Sequence, residues 1–301
     1  MLPQFELLMP HTLPEALQML AGSAPDALPL AGGTNLIPDM RGGRRRPGVV
    51  VNIAGLGELQ GIRQEDGHVI VGSGVTIAEL LESDVIARQA PVIRQAASVF
   101  GNPLVRNRAT VGGNLGDASP AADMAPPLLA LDAEVRLASK GESRWVPLDE
   151  FFVDVCDTIC RHVELITAVR WPAPVPGTFA GFRKLSLRRS TAISVVSVAV
   201  RITFGDGGRC EDAAVALGAV APTPIRAHDA EHALRGEALT AEVIEEATRL
   251  GCGALSCIGD VRGSADYRER VVRVLMRRLL EEAGENDAIG TYYTEHQRSH
   301  T

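Results

Sequence analysis

Pro172-Ala-Pro-Val-Pro-Gly177 divides this chain of 301 residues into two patterns. Its three prolines fix the backbone and remove N–H donors from any ladder, so the stretch reads as a stiff linker. Downstream, Phe179–Leu187, Ala192–Phe204 and Arg209–Ala219 read as three successive strands, an antiparallel meander. Three helices are then expected at Pro224–Leu234, Thr240–Cys252 and Ser264–Ala283. In the last, Val271, Val274, Leu275 and Leu279 form an apolar stripe with arginines beside it. From Gly284 the chain is polar and reads as a loose tail or a partner-docking segment. A run of strands followed by a run of helices predicts α+β rather than a doubly wound sheet.

Upstream of the linker, short helices alternate with short strands. Leu13, Ala16, Leu17 and Leu20 recur at helical spacing behind Thr12, a natural N-cap with Glu15 three residues on. Ala27–Ala31 and Val49–Ile53 are brief apolar strands. Leu59–Gln64 and His68–Gly72 flank Glu65-Asp66-Gly67 as a hairpin. Thr76 is placed to cap a helix at Ile77–Leu81, and Val85–Phe100 reads as helix interrupted at Pro91. Ser119 before Pro120 predicts a helix over Ala121–Ala130. Ala133–Ala138 and Arg144–Pro147 pair across a turn, and Glu164–Trp171 is one more strand.

Two glycine stretches sit in this half: Ala31-Gly32-Gly33-Thr34-Asn35 and Thr110-Val111-Gly112-Gly113-Asn114. Glycine lets a backbone approach a ligand closely, so that consecutive N–H groups converge on one anion. Singly, each reads as an ordinary tight turn. Together they suggest a divided site that grips the two phosphates of a pyrophosphate. Neither is a Rossmann GxGxxG or a Walker loop. Asp117, Ser119 and Asp123 follow the second stretch, where they either bond the hydroxyls of a dinucleotide or cap a helix.

The net charge of −7 argues against a nucleic-acid partner, and the short basic run Arg41–Arg46 reads as a solvated loop. No apolar run reaches the ~18 residues of a membrane span and no charged-then-apolar leader opens the chain, so a cytoplasmic protein is expected. The five cysteines, Cys156, Cys160, Cys210, Cys252 and Cys257, form no CxxC pair and read as reduced thiols. His228 and His232 read as a solvated helix face, since the residue after the first is aspartate and not the glutamate of the zinc-protease pattern. With no nucleophile constellation and a dinucleotide-like grip, redox cofactor binding is the natural candidate.

AGGTNL at 31–36, TVGGNLGDASPAADMAPPLLALDAEV at 110–135, FRKLSLRRSTAISVVSVAV at 182–200 and DVRGSADYRERVVRVLMRRLL at 260–280 occur in one order. Together they resemble the flavin-binding medium subunits of molybdenum hydroxylases, the xanthine dehydrogenase and aerobic carbon monoxide dehydrogenase group. The likeness runs from about residue 3 to 283. It implies a PCMH-type FAD-binding domain at 1–173 (subdomains about 1–54 and 55–173), a C-terminal domain at 178–286 with a three-stranded antiparallel sheet and three helices, and a tail at 287–301. It also implies FAD in this chain, a large molybdenum–pterin subunit and a small subunit with two [2Fe–2S] clusters, assembled as a dimer of heterotrimers. By position, Ala31, Gly32, Gly33, Thr34 and Asn35 match the first phosphate loop; Thr110, Gly112, Gly113 and Asn114 match the second. Phe100 matches an aromatic near the cofactor, Ser119 and Asp123 an S-P-x-x-D stretch on FAD, and Lys184 a lysine near the ring. Asp117 stands where many members carry a small or hydroxyl residue. No cysteine-rich insertion for a [4Fe–4S] cluster is present. The readings from other classes are an adaptor subunit that has lost flavin and a stand-alone flavin oxidase. The intact glycine pairs speak against the first. The lack of a histidine beside either loop, and of a substrate domain, speaks against the second.

Overall fold

The computed structural model describes residues 2–188 and 193–298. It divides into two compact units that are discontinuous in sequence. One comprises Met1–Arg88, Phe100–Ser119 and Asp132–Ala173; the other comprises Gln89–Val99, Pro120–Leu131 and Pro174–Thr301.

Among the described residues, the first unit holds two larger sheets and one two-stranded hairpin. Glu6–Leu8, Val49–Asn52 and Ala27–Leu30 form a parallel sheet in that spatial order. The helix Leu13–Ser23 joins the outer strands, with Thr12 Oγ1 accepting from Glu15 N and the Glu15 carboxylate accepting from His11 N. Ala16, Leu17 and Leu20 pack with Ala27, Val51 and Leu59, which fixes the apolar stripe as this helix's inner face. The second sheet is antiparallel: Ile62–Glu65, His68–Gly72, Leu165–Pro172, Glu134–Ser139 and Glu142–Pro147. Its first hairpin turns through Asp66 and Gly67, both at positive φ, the left-handed pair that a two-residue hairpin turn requires. Thr76 and Glu79 make a reciprocal capping box at the helix Ile77–Glu82. The strand Glu6–Leu8 and the small hairpin of Phe152–Asp154 with Asp157–Thr158 were not expected from the sequence. They are too short to show a period.

The second unit is an antiparallel meander, Thr178–Ser186, Ser194–Phe204 and Cys210–Gly218, extended at its edge by Ile225–Arg226. Ala192, the expected start of the second strand, lies outside the described residues. Ser194–Phe204 is buried along nearly its whole length, so both faces of the sheet are covered. Val196, Val198, Val200 and Ile202 meet the helices His228–Leu234, Ala241–Gly251 and Ala265–Arg298 through Ala230, Leu234, Ala247, Val272, Met276 and Leu280. The alternate residues meet the helix Ala125–Ala130: Arg201 Nε donates to Ala130 O at 2.8 Å, and a Cβ on Gly218 would lie 2.7 Å from Pro126. Gln95, from the helix Pro91–Ser98, accepts from Phe182 N at 2.7 Å. These contacts place segments 89–99 and 120–131, both upstream of the proline linker, in this unit.

Two expectations need correction. The helix over Ala121–Ala130 begins only at Ala125, with Met124 as N-cap and prolines in its first turn; Ser119 does not open it. The last helix does not stop at Ala283 but continues to Arg298, because no proline or run of glycines follows Gly284 to end it.

Candidate cofactor site

The two glycine stretches meet in one cleft of about 530 Å³ in the first unit. Ala31, Gly32, Gly33, Thr34 and Asn35 line it, together with Thr110, Gly112, Gly113, Asn114, Asp117 and Phe100. Leu28, Ile53, Leu59, Leu165 and Ile166 supply apolar wall, and Arg45, Arg108 and Arg161 supply positive charge. Eleven of the residues expected from the sequence are thus brought together here.

The two stretches do different work. The first is a loop between the strand Ala27–Leu30 and the short helix Leu36–Arg41, with Gly33 at φ +72°. The backbone N–H groups of Gly32, Gly33, Thr34 and Asn35 find no acceptor among the described residues. In a half-buried loop such donors demand a partner, and an anion supplies one. The second is no loop: Val111–Gly116 is a short helix capped by Thr110, whose Oγ1 accepts from Gly113 N at 3.0 Å. Val111 N donates to Val75 O, Gly112 N to Ser73 O and Asn114 N to Thr110 O. Both stretches are expected to offer N–H groups to a pyrophosphate; in the second those of Val111, Gly112, Gly113 and Asn114 are already taken within the protein, and only the first keeps N–H groups without an acceptor among the described residues. The second contributes a wall without side chains: Gly112 lies so close to Ser73 that a Cβ would sit 2.5 Å from its Cβ.

Gly32 sets the distance between the two stretches. A Cβ there would lie 1.7 Å from the carbonyl oxygen of Arg108, two residues before Thr110. Asn35 Nδ2 donates to Asp117 Oδ2 at 2.5 Å, which ties the end of the loop to the C-cap of the short helix.

Of the remaining sequence candidates, Ser119 does not line this cleft. Asp123 and Lys184 belong to the second unit, where they pair: Lys184 Nζ donates to Asp123 Oδ2 at 2.6 Å and Ser194 Oγ to Oδ1 at 2.5 Å. Burial pushes the Asp123 carboxyl above its ordinary range, while Lys184 and Ser194 pull it back.

Sequence reasoning missed several residues that line the cleft, Arg45 and the 160–164 segment among them. Arg45 belongs to the run read as a solvated loop, yet its guanidinium turns inward to Asp117. Cys160, Arg161, His162 and Glu164 also line the cleft. The Glu164 side chain is buried and bonds Arg161 and Arg144. Burial opposes its ionisation, but the bonds from Arg161 and Arg144 prevail and hold its carboxyl at about 2. Burial, reinforced by the Glu164 charge, pushes the Cys160 thiol up to about 12, so it stays protonated at neutral pH. The only sequence signal for this segment was the i, i+3 spacing of Arg161 and Glu164.

A depressed carboxylate stabilises the fold above the unfolded value of 4.5, and that contribution disappears as the pH falls toward about 2. Glu164→Gln is accordingly expected to cost about 2 kcal/mol at pH 7, with the gap to wild type closing below about pH 3. Thermal melts of the two proteins across this range test the expectation.

Among the described residues, no group of three or more His, Cys, Asp or Glu side chains is placed to hold a metal ion. Nor is any helix among them long and apolar enough to cross a membrane. His228 and His232 are exposed or nearly so, and His228 Nδ1 lies 3.0 Å from Glu231.

A cleft of about 530 Å³ lined by a loop whose N–H donors have no acceptor among the described residues, by glycines and by apolar side chains is, in an α+β protein, of a kind suited to a dinucleotide. Residues 3–174 match the family model of the FAD binding domain in molybdopterin dehydrogenase, and residues 181–283 that of the CO dehydrogenase flavoprotein C-terminal domain. The chain is 32% identical to the carbon monoxide dehydrogenase medium chain of Afipia carboxidovorans, covering 93% of this chain and 96% of that one. It is 30% identical to the xanthine dehydrogenase FAD-binding subunit of Escherichia coli O157:H7, covering 90% and 93%. A solved carbon monoxide dehydrogenase from Hydrogenophaga pseudoflava, one lacking the Mo-pyranopterin moiety of the molybdenum cofactor, superimposes with a TM-score of 0.92 at 31% identity, covering 95% of this chain and 99% of that one. The chain belongs to the family of FAD-binding medium subunits of molybdenum hydroxylases, and is an oxidoreductase flavoprotein subunit.

Proposed function

We propose that this subunit carries FAD as an electron-transfer station: it takes electrons from [2Fe–2S] clusters of a small partner subunit and passes them to NAD+, a quinone or oxygen. The partners would be that small subunit and a large molybdenum–pterin subunit that oxidises the substrate, arranged as a dimer of heterotrimers in the cytoplasm. The observation that carries the reading is the cleft itself, lined both by a loop with four N–H donors that have no acceptor among the described residues and by Gly112 and Gly113.

In this proposal the N–H groups of Gly32, Gly33, Thr34 and Asn35 receive the pyrophosphate. Ala31, Gly112 and Gly113 leave room for it, while the side chains of Thr110 and Asn114 border it. Phe100, Ile166 and the other apolar residues exclude water around the flat portions of the cofactor. Bound FAD supplies the hydride and single-electron chemistry. The protein contributes binding, orientation and electrostatics; no side chain is needed as acid, base or nucleophile.

Purification of the native assembly, with flavin, iron and molybdenum analysis and identification of the associated chains, tests the proposal. FAD in this chain together with iron and molybdenum in two companions is the expected result. A colourless chain with the same companions would make it an adaptor.

A further inference from the structure

The basic run Arg41–Arg46 enters the cleft through Arg45. Its guanidinium sits between two carboxylates, with Nη2 3.3 Å from Asp117 Oδ1 and Nε 3.5 Å from Asp39 Oδ2. Asp39 is paired also with Arg44. The second oxygen of Asp117 accepts from Asn35, 82 positions away in sequence. Asp117 therefore holds the cofactor loop with one oxygen and an arginine with the other.

An acidic residue in the wall of a pyrophosphate cleft poses a physical problem. Its charge repels the two negative charges of the ligand, and a cleft between low-dielectric walls screens that repulsion poorly. A guanidinium on the same carboxylate cancels most of it. Resting on the FAD reading above, we propose that Asp117 and Arg45 form a neutralised clamp. Asp117 is a positioning residue that ties the two glycine stretches together through Asn35. Arg45 makes this tie compatible with the pyrophosphate by neutralising Asp117, and not by bonding the phosphates itself.

The test is titration of the full apo chain with FAD, read by flavin fluorescence at low and high salt. Arg45→Gln exposes the Asp117 charge and should weaken binding about tenfold at low salt, less at high salt. Arg45→Lys keeps the charge and should stay within about threefold of wild type. Asp117→Ala cuts the tie and should weaken binding about tenfold at either salt, whereas Asp117→Asn keeps an acceptor for Asn35, removes the charge and should tighten binding about threefold. The deciding protein is R45Q/D117N, expected within about threefold of wild type. If it binds as weakly as Arg45→Gln alone, Arg45 acts on the phosphates directly and the clamp is overturned. The clamp also fails if Asp117→Ala binds like Asp117→Asn. Melts of each apo variant separate unfolding from weakened binding; should Arg45→Gln unfold, the contrast of Asp117→Ala with Asp117→Asn still decides. A wild-type chain that binds no FAD would instead sink the reading on which the clamp rests.

Discussion

Gly32→Ala is expected to weaken FAD binding by at least about 100-fold. The added Cβ would lie 1.7 Å from the Arg108 carbonyl oxygen, and that oxygen belongs to backbone that cannot swing aside. The neighbour Ala109 is fixed in turn, its carbonyl accepting from Ile77 N at 2.9 Å. The first loop must therefore retreat, carrying its four unfilled N–H donors away from the wall made by Gly112 and Gly113. Gly33→Ala should do less: the neighbours of its Cβ are side-chain atoms, Leu30 Cδ1 at 3.1 Å and Ile37 Cγ1 at 3.2 Å, and not backbone. Its cost is chiefly that of alanine at φ +72°, about 1 kcal/mol. Gly57→Ala, with nothing within 4 Å, is the control. Flavin fluorescence titrations of the apo proteins rank the three. Binding by Gly32→Ala equal to that of Gly57→Ala would show that the loop spacing does not govern the cofactor.

The contrast between these glycines shows where sequence reading succeeded and where it ran out. Both glycine pairs were found by composition, and both line the cleft. Their roles were not distinguishable, because the difference lies in who accepts from their N–H groups. Ser73 O accepts from Gly112 N and Thr110 Oγ1 from Gly113 N, while Val75 O accepts from Val111 N, and only the fold brings residues 73–75 beside residues 111–112. Arg45 was lost for a similar reason. Six residues of helix between Asn35 and Gly42 return the chain toward Asp117, a path that charge counting cannot see. Strong periods survived best: the stripe in Leu13–Ser23 and the meander beyond the linker are near their expected places. The helix expected from Ser119 failed because a cap-and-proline signal is local, while Asp123 is held by residues 61 and 71 positions further on.

That long-range contact gives the second large effect. Lys184→Met is expected to destabilise the second unit by about 3–5 kcal/mol, read as a lower denaturation midpoint at pH 7. Asp123 and Lys184 are both nearly buried, with side chains 9% and 5% exposed, so removing the ammonium leaves a buried carboxylate with no counter-charge among the described residues. Ser194 alone cannot compensate a full charge. Replacing both partners, as in D123L/K184M, removes the stranded charge along with the pair and should recover more than half of the loss. The pH dependence of the single variant has a definite sign. Without Lys184, burial keeps the folded carboxyl above its unfolded value of 3.8, so the folded state binds the proton more tightly. The stability that proton confers is fully present below the unfolded value and is lost as the pH rises through the folded one. Lys184→Met should therefore approach wild type on acidification, the same direction as Glu164→Gln but for the opposite reason. In Glu164→Gln the wild type loses a stabilised charge, and in Lys184→Met the variant sheds a stranded one. A Lys184→Met deficit that stayed constant from pH 7 to pH 4 would mean that the lysine stem, and not its charge, supports the packing around Asp123.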